Sequence, residues 1–244
     1  MSHLRLHSLI SKTKHGFVPN RSCLTNLLEY LEKMTELVDQ GHSVDIFYLD
    51  FAKVFDKFPH VRLMSKVRAH GIEGLVANWI EEWLKDRKQC VVLNGAESSW
   101  RDVSSGVPQG SVLGPILFVI FIDDIDDIID AAGLFLSKFD DDTKTGRVVD
   151  NDQQAAILQE ELNKLAQWAD KWQILFNVDK CNVLHQGRNN PAREYTMFGK
   201  KLGVTEKEKH LGVLINKTLK PGAQVAKAAK KANQVLGQMA CAFT

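Results

Sequence analysis

The sequence VDIFYLD, which occupies residues 44–50, is a short apolar run that ends on a carboxylate. Its isoleucine, phenylalanine and tyrosine side chains favour β-structure, so the run predicts a strand that finishes at Asp50. A second run, Leu134 to Phe139, predicts another strand and leads directly into the acids Asp140 to Asp142. Carboxylates at the ends of neighbouring strands are held on a rigid scaffold and can converge. The two strand ends therefore indicate a candidate acidic site.

Apolar residues recur at helical spacing on both sides of these strands. The clearest patterns predict helices over Ser22–Asp39 and Asp152–Trp172. Shorter helices are predicted over Val61–Ala69, Leu75–Leu84, Leu113–Ile122 and about Ala223–Ala240, and further strands over Gln89–Leu93, Trp100–Val103, Asn182–His185 and His210–Ile215. The dipeptide Asn94-Gly95 is a strong hairpin-turn signal. Interleaved helices and strands without an internal repeat predict an α+β domain.

The composition is that of an ordinary folded protein. The chain has 244 residues, 44% hydrophobic and 25% charged, with a formal net charge of +1. These values argue against a disordered, collagenous or disulfide-stapled chain. Its four cysteines form no C-x-x-C pair, which favours free thiols in a reducing compartment. The longest apolar run, Val112 to Ile122, is shorter than the roughly 20 residues that a bilayer requires. We therefore expect a cytoplasmic or nuclear protein with no membrane partner and no secretory signal.

The near-neutral net charge conceals two segments of opposite sign. Between Phe121 and Asp152 there are ten aspartates against three basic residues, and from Lys200 onward there are nine lysines against two glutamates. Either segment alone is compatible with a solvated surface. Together they suggest a protein that handles a polyanion with the help of cations.

Oxygen ligands at the two strand ends suit Mg²⁺, which usually takes one or two carboxylates together with substrate phosphates. Two such ions about 4 Å apart can activate a hydroxyl and stabilise a leaving pyrophosphate. The sequence has no Walker phosphate loop, no G-x-S-x-G elbow and no H-E-x-x-H helix. On spacing alone, surface or capping carboxylates remain the alternative to a metal site.

Five segments resemble, in the expected order, the motifs of reverse transcriptases from non-LTR retrotransposons of the LINE type, similar to the jockey and chicken-repeat elements. Residues 45–60 resemble the first palm motif, and residues 105–118, SGVPQGSVLGPILF, match the second almost letter for letter. Residues 139–143 stand where the third motif, F-A-D-D, belongs. Residues 168–181 resemble the segment that follows, and residues 211–214 the hairpin that grips the primer. The resemblance covers nearly the whole chain, with segments missing at both ends.

The resemblance implies a two-metal nucleotidyl-transfer site. Asp50 and Asp141 are then the principal metal ligands, with Asp142 beside them and the carbonyl of Phe51 facing the second ion. The implied cofactor is a pair of Mg²⁺ ions, for which Mn²⁺ is a possible substitute. Phe55 is implied as the bulky gate that clashes with a ribose 2′-hydroxyl, and its alternative role is that of a plain core aromatic.

The same resemblance assigns four further residues to substrate binding. Gln109 and Gly110 are implied to lie against the incoming nucleotide and the templating base, the alternative being a mere tight turn. Lys180 is implied as a candidate proton donor to the leaving pyrophosphate, although a surface lysine fits nearly as well. Arg21 is implied to contact the nucleotide phosphates from the fingers.

The implied fold is a right-hand polymerase palm, an antiparallel sheet backed by helices, with partial fingers and the start of a thumb. We expect partial fingers at residues 1–44, a palm at 45–204 with an intervening fingers segment at 61–104, and a primer-grip hairpin with the start of a truncated thumb at 205–244. The implied partners are an RNA template, a DNA primer and deoxynucleoside triphosphates. The sequence does not indicate the oligomeric state.

The chain departs from the family pattern at Asp140, which stands where the family has alanine. A third consecutive carboxylate beside ligands that already repel one another is expected to crowd the site and reduce activity. On this view, Asp140→Ala should raise metal-dependent extension. The sequence also lacks the early fingers strands and the body of the thumb. Two hypotheses therefore remain: an active RNA-directed DNA polymerase core, or a catalytically impaired mobile-element remnant with residual nucleic-acid binding.

Overall fold

The computed structural model describes residues 10–11, 13–129 and 134–242. Its helices α1–α8 span Cys23–Asp39, Val54–Lys57, His60–Ala69, Gly74–Leu84, Leu113–Ile122, Ile125–Ile128, Asp152–Trp172 and Gly222–Ala242. Its strands β1–β13 span Val44–Leu49, Lys88–Gln89, Val92–Leu93, Ala96–Glu97, Arg101–Asp102, Leu134–Phe139, Asp142–Val148, Asn182–Gln186, Thr196–Met197, Lys200–Lys201, Gly203–Thr205, Lys207–His210 and Val213–Asn216. Helices and strands alternate along the chain, which confirms the α+β prediction.

A five-stranded sheet with the order β11-β8-β1-β7-β6 forms the centre of the molecule. All its pairs are antiparallel except β11 with β8, which is parallel. In the register of β1 with β7, Leu49 lies opposite Thr143. The end of one antiparallel strand lies beside the start of its partner. Asp50, just after β1, and Asp142, at the start of β7, therefore lie at the same end of these two neighbouring strands.

The two faces of the sheet bury different sets of side chains. On one face, Phe47 and Leu49 pack into the main hydrophobic core, to which helices α2–α5 and α7 contribute. On the other face, Ile46 packs in a smaller cluster with Tyr30 of α1 and Ile215 of β13. Since side chains alternate along a strand, Asp50 belongs to this second face, where fewer elements cover the sheet.

The helix predictions are largely confirmed, because helices α5 and α7 occupy the predicted spans and α1, α3, α4 and α8 begin and end within two residues of theirs. The short helices α2 and α6 were not predicted. Ser22 is the N-cap of α1, where its side chain accepts a hydrogen bond from the Thr25 amide. The Asn94-Gly95 hairpin is also confirmed, since it joins β3 to β4 and both residues have positive φ. Among the described residues, no helix is both long and apolar enough to cross a bilayer.

The strand predictions were less complete. Strand β7 was not predicted, because its sequence DTKTGRV shows no apolar alternation, although Thr143 to Gly146 are buried. Its Gly146 is required by close packing, since a Cβ there would lie 2.5 Å from the carbonyl oxygen of Asp45. The single strand predicted over His210–Ile215 was wrong. Those residues form a hairpin instead, in which β12 and β13 turn at Leu211-Gly212.

Further short strands, β9 to β11, were also missed. Two- or three-residue strands carry too little pattern to be distinguished from loops. The five-stranded sheet draws its strands from residues 44–205, close to the predicted palm at 45–204. The division into fingers, palm and thumb itself stays a prediction.

Candidate active site

The two strand-end carboxylates lie in one cleft. Asp50 follows β1 and Asp142 begins β7, and both line a cavity of about 250 Å³. The cavity is lined by Tyr48, Leu49, Asp50, Asp142, Thr143, Lys144, Lys180, Glu208, Lys209 and His210. The sequence therefore correctly predicted that the two strand ends converge.

The backbone of Asp50 is fixed by the segment that precedes β8. Its N–H donates to the Cys181 Sγ at 3.5 Å, and its carbonyl accepts from the Asn177 N–H at 2.8 Å. The next residue, Phe51, is buried and stacks on Phe176 with the ring centroids 4.5 Å apart. Burial raises the pKa of the Cys181 thiol to about 11, so this sulfur stays protonated and acts as a structural partner.

The Asp50 carboxylate has one oxygen left without a hydrogen bond. Oδ2 is buried and lies 3.3 Å from the Lys180 Nζ, at an angle that makes an ion pair but no hydrogen bond. A buried carboxylate oxygen without a donor is costly unless a cation completes it. The Lys180 side chain is 67% exposed, so it can swing away from Asp50 and make room for another cation.

Around Asp142 the negative charge of neighbouring carboxylates exceeds the nearby positive charge. The pKa of Asp142 is raised to about 6, first by desolvation and then by the neighbouring carboxylates of Asp141, Asp50 and Asp140. Mutual repulsion of this kind is relieved when a cation binds between the carboxylates.

The protein itself supplies only part of a metal coordination shell. Among the described residues, no three Asp, Glu, His or Cys side chains lie close enough together to hold an ion. Asp141 sits in the two-residue turn between β6 and β7 and does not line the cavity, whereas Asp50 and Asp142 do. The carboxylates of Asp50 and Asp142 fit a hard divalent ion that takes its remaining ligands from water and substrate phosphates.

Asp140 points away from the cleft. A Cβ on Gly16 would lie 2.3 Å from both the amide nitrogen and the Oδ1 of Asp140, so the carboxyl lies against the N-terminal segment. Its backbone has φ of 50°, a conformation that aspartate tolerates better than alanine does. The buried Lys14 donates from Nζ to the Asp140 carbonyl at 2.6 Å. Burial, followed by the charge of Lys138, lowers the pKa of Lys14 to about 7.

This arrangement changes how Asp140 is expected to affect activity. Its carboxylate acts on Asp142 through space, without occupying the cleft. We expect Asp140→Asn, which keeps the tolerance for positive φ, to change metal-dependent extension by about fivefold or less, because its half-buried carboxylate lies outside the cleft and acts only through space. Asp140→Ala combines the loss of charge with turn strain, so the two variants should be compared. A change above tenfold in Asp140→Asn would show that the side chain does enter the cleft.

The loop Gly106-Val107-Pro108-Gln109-Gly110 is anchored at one end and free at the other. Gly106 is buried against the backbone of Phe55 and Asp56, and the Val107 N–H donates to the Phe55 carbonyl at 2.8 Å. Gln109 and Gly110 are exposed, and Gly110 has φ of 83°. The loop therefore presents these two residues to solvent from a fixed base, and their substrate contacts stay a prediction.

Phe55 and Arg21 lie outside the lining of the cleft. The half-buried Phe55 ring packs on Phe118 with the centroids 4.9 Å apart, which leaves both the gate role and the core role open. Arg21 donates to Glu29 Oε1 at 2.8 Å and borders a different cavity, together with Asp126. A role for Arg21 with nucleotide phosphates would require it to leave Glu29.

The hairpin wall of the cleft was expected only as a primer-grip hairpin, and its lining residues were not named from the sequence. The wall consists of Glu208, Lys209 and His210 from β12, whereas Tyr48 and Lys144 line the cleft from the central strands that lead to Asp50 and Asp142. The segment Lys207–His210 is entirely polar, so it carries no apolar alternation that would predict a strand.

Comparison with known proteins agrees with this geometry. Residues 1–228 match the family model described as reverse transcriptase (RNA-dependent DNA polymerase). The RNA-directed DNA polymerase from the mobile element jockey of Drosophila funebris is 29% identical over 220 residues, covering 86% of this chain and 24% of that protein. The probable RNA-directed DNA polymerase from the Drosophila melanogaster transposon X-element is 25% identical over 226 residues, covering 90% and 24%. This chain thus spans about a quarter of the length of these relatives.

A solved structure shows the same fold. Apo telomerase from Candida tropicalis, truncated from its C-terminal domain, superposes with a TM-score of 0.61 at 12% identity. The match covers 90% of this chain and 42% of that structure. At this identity the similarity concerns the fold alone. It agrees with an antiparallel sheet backed by helices, as in a polymerase palm.

Proposed function

Because the chain belongs to the reverse transcriptase (RNA-dependent DNA polymerase) family, we propose that it is the polymerase core of a non-LTR retrotransposon. In this role it adds deoxynucleotides to a DNA primer along an RNA template. The observation that carries the proposal is the convergence of Asp50 and Asp142 in one cleft, where a buried Asp50 oxygen has no hydrogen bond and is ion-paired with the exposed Lys180. Family membership supports a nucleic-acid template and a divalent metal ion, and the assignment of two Mg²⁺ ions, primer and deoxynucleotides belongs to the proposal.

The position of each residue in the cleft indicates its role in nucleotidyl transfer. Asp50 and Asp142 would hold the metal, and Asp141 and the Phe51 carbonyl complete the proposed ligand set. Bound magnesium would supply activation of the primer hydroxyl and stabilisation of the leaving pyrophosphate. The Lys180 amino group lies 3.3 Å from Asp50 on an exposed side chain, which suits a donor to the leaving group. Lys180 and Lys209 bring positive charge to a cleft that must accept phosphates.

Primer extension tests the proposal directly. The protein is incubated with a primed homopolymeric RNA template, Mg²⁺ and the complementary deoxynucleotide, and product length is read on a gel. We expect extension that requires the metal, and Mn²⁺ is expected to substitute for it. No extension by protein whose circular dichroism and thermal unfolding show that it is folded would contradict the active-core proposal.

The proposed gate at Phe55 makes a separate prediction. Phe55→Val should reduce the preference for deoxynucleotides over ribonucleotides by about tenfold or more, because the clash with a 2′-hydroxyl is removed. The measurement is the ratio of kcat/KM for the two nucleotides. Phe118→Leu, which alters the ring that packs on Phe55, is the control and should leave the ratio unchanged. If Phe55→Val lowers only the stability, Phe55 is a core aromatic.

An impaired remnant of a mobile element is the second candidate function. It is favoured by the acidic turn, where Asp140 contributes to the raised pKa of Asp142, and by the incomplete set of metal ligands that the described residues bring together. This candidate predicts binding of a primed template without extension. Fluorescence anisotropy of a labelled primer–template, measured beside the extension assay, distinguishes the two.

A further inference from the structure

The hairpin formed by β12 and β13 is one wall of the cleft, but it is a separate sheet. Its strands pair with each other and are not hydrogen-bonded into the five-stranded sheet. Glu208, Lys209 and His210 of this hairpin face the cleft that Asp50 and Asp142 line from the other side. The width of the cleft therefore depends on side-chain contacts between the hairpin and the main sheet.

The strongest polar contact of this kind comes from Lys144. It lies on β7 two residues after Asp142, so both side chains project from the same face of the sheet. Lys144 is 2% exposed, and its Nζ donates to the Asn26 Oδ1 at 3.3 Å and lies 2.5 Å from the His210 Nε2, which is itself 3.0 Å from the Asn26 Oδ1. It also lies over the Tyr30 ring, 4.2 Å from the centroid.

Lys144, Asn26 and His210 form one buried polar cluster. Asn26 donates from Nδ2 to the Ser137 Oγ at 2.6 Å, which directs its Oδ1 toward Lys144. Burial, followed by the charge of Lys144, lowers the pKa of His210 to about 3, so the ring is neutral. Its Nε2 accepts from Lys144 in one tautomer and donates to the Asn26 Oδ1, 3.0 Å away, in the other. One amino group thus joins the catalytic strand, helix α1 and the hairpin in a buried cluster at the wall of the cleft.

The rest of the hairpin is held by other contacts. Ile215 packs in the smaller core cluster, and the Asn216 carbonyl accepts from the Gln186 Nε2 at 3.4 Å. These residues lie opposite Glu208 and Lys207 in the hairpin register, away from the turn. His210 is the last residue of β12, so Lys144 anchors the turn end of the wall.

We propose that Lys144 is a positioning residue that holds the β12–β13 wall against the strand that carries Asp142 and thereby sets the width of the cleft. The structural part stands on the contacts above, and the consequence for polymerisation rests on the proposed function. Lys144→Met keeps the length of the side chain but removes the amino group that joins β7 to both His210 and Asn26. Losing this buried hydrogen-bonded link costs stability, so the turn end of the wall should open more often.

Hydrogen–deuterium exchange on the free 244-residue chain tests the structural part without substrate. In Lys144→Met we expect the amides between Lys207 and Asn216 to exchange about tenfold faster or more. Amides of β1 and α7 should keep their wild-type rates. Lys217→Met is the matched control, because Lys217 pairs with Glu206 at the base of the same hairpin and both side chains are exposed. Wild-type exchange in the hairpin of folded Lys144→Met would overturn the proposal.

A second variant, His210→Leu, keeps the proposal testable if Lys144→Met does not fold. His210→Leu removes the partner on the hairpin and leaves Lys144 its contact with Asn26. It should also accelerate exchange in the hairpin, and the double variant should exchange no faster than the faster single variant, since both break one contact. Additive effects on exchange would overturn the proposal.

Kinetics then test the functional consequence. A displaced wall should raise the KM for the primer–template about tenfold while changing kcat by less than about threefold, because Asp50 and Asp142 stay in register on β1 and β7. If kcat instead falls about tenfold while the KM for the primer–template is unchanged, the link between Lys144 and cleft width is overturned. If the wild-type protein extends no primer, the proposed function fails, and the exchange results still decide whether Lys144 holds the wall.

Discussion

Asp50→Asn is expected to abolish metal-dependent primer extension, lowering kcat by roughly a thousandfold or more, as the loss of a central electrostatic group does in other active sites. Asparagine has the same shape, so the hydrogen bonds of the residue 50 backbone to Cys181 and Asn177 remain. What is lost is the negative charge that attracts the metal, together with a buried carboxylate oxygen that has no hydrogen bond and is ion-paired with the exposed Lys180. The fold should survive while the chemistry fails.

Two readouts separate this effect from a general loss of structure. Thermal unfolding of Asp50→Asn without metal should occur at or above the wild-type temperature, because one of the carboxylates that repel Asp142 has been neutralised. Addition of Mg²⁺ or Mn²⁺ should stabilise the wild-type protein but not the variant. The control is Asp170→Asn, an exposed aspartate of α7 that does not line the cleft and should leave extension unchanged.

The outcome also bears on Lys180. If Asp50→Asn keeps wild-type extension, the unpaired oxygen is not a metal ligand, and the contact with Lys180 is a simple surface ion pair. If extension is lost but metal still stabilises the variant, the metal binds elsewhere, and the assignment of Asp50 as its ligand is wrong.

The predictable parts of the site were those whose residues are close in sequence or follow a strongly apolar strand. The run before Asp50 and the run before Asp140 each carry a clear β signal, and the convergence of their ends followed once both were placed in one sheet. Helices α5 and α7 were predicted to the residue because their patterns extend over several turns.

The unpredicted parts depend on contacts between distant segments. Strand β7 is polar, yet Lys144 is buried because Asn26 and His210 supply acceptors from residues 118 and 66 positions away. Likewise, the orientation of Asp140 depends on Gly16, which the β6–β7 turn meets only in the folded chain. No local pattern encodes such partners, so the second wall of the cleft and the surroundings of the acidic turn required the structure.

The loop at residues 106–110 contains two glycines, Gly106 and Gly110. Of the two glycine-to-alanine substitutions, Gly106→Ala is expected to cause the larger loss of stability. Gly106 has φ of 70°, and a Cβ there would lie 2.3 Å from the Phe55 carbonyl oxygen and 2.6 Å from the Asp56 Cα. The obstructing atoms are backbone, so no side chain can move aside. The strain of positive φ and the steric clash together should cost about 2–4 kcal/mol.

Gly110→Ala is the matched control in the same loop. Its φ is 83°, similarly unfavourable for alanine, but no atom lies within 4 Å of the position that its Cβ would occupy. Only the backbone strain applies, which costs about 1 kcal/mol. The difference between the two variants in free energy of unfolding, measured by denaturant titration, therefore isolates the close approach of Gly106 to Phe55 and Asp56.

The same contacts connect Gly106 to catalysis. Its N–H donates to the Phe58 carbonyl at 2.9 Å, and its own carbonyl accepts from the His60 Nε2 at 2.8 Å, so the base of the loop is bonded to the segment that follows Asp50. Gly106→Ala must shift this base and with it Gln109 and Gly110. We expect a fall in the melting temperature on the order of 10 °C and reduced extension below it. Equal destabilisation of Gly106→Ala and Gly110→Ala would mean that the loop adjusts freely, and Gln109 would then lack the rigid support that its proposed contact with the nucleotide requires.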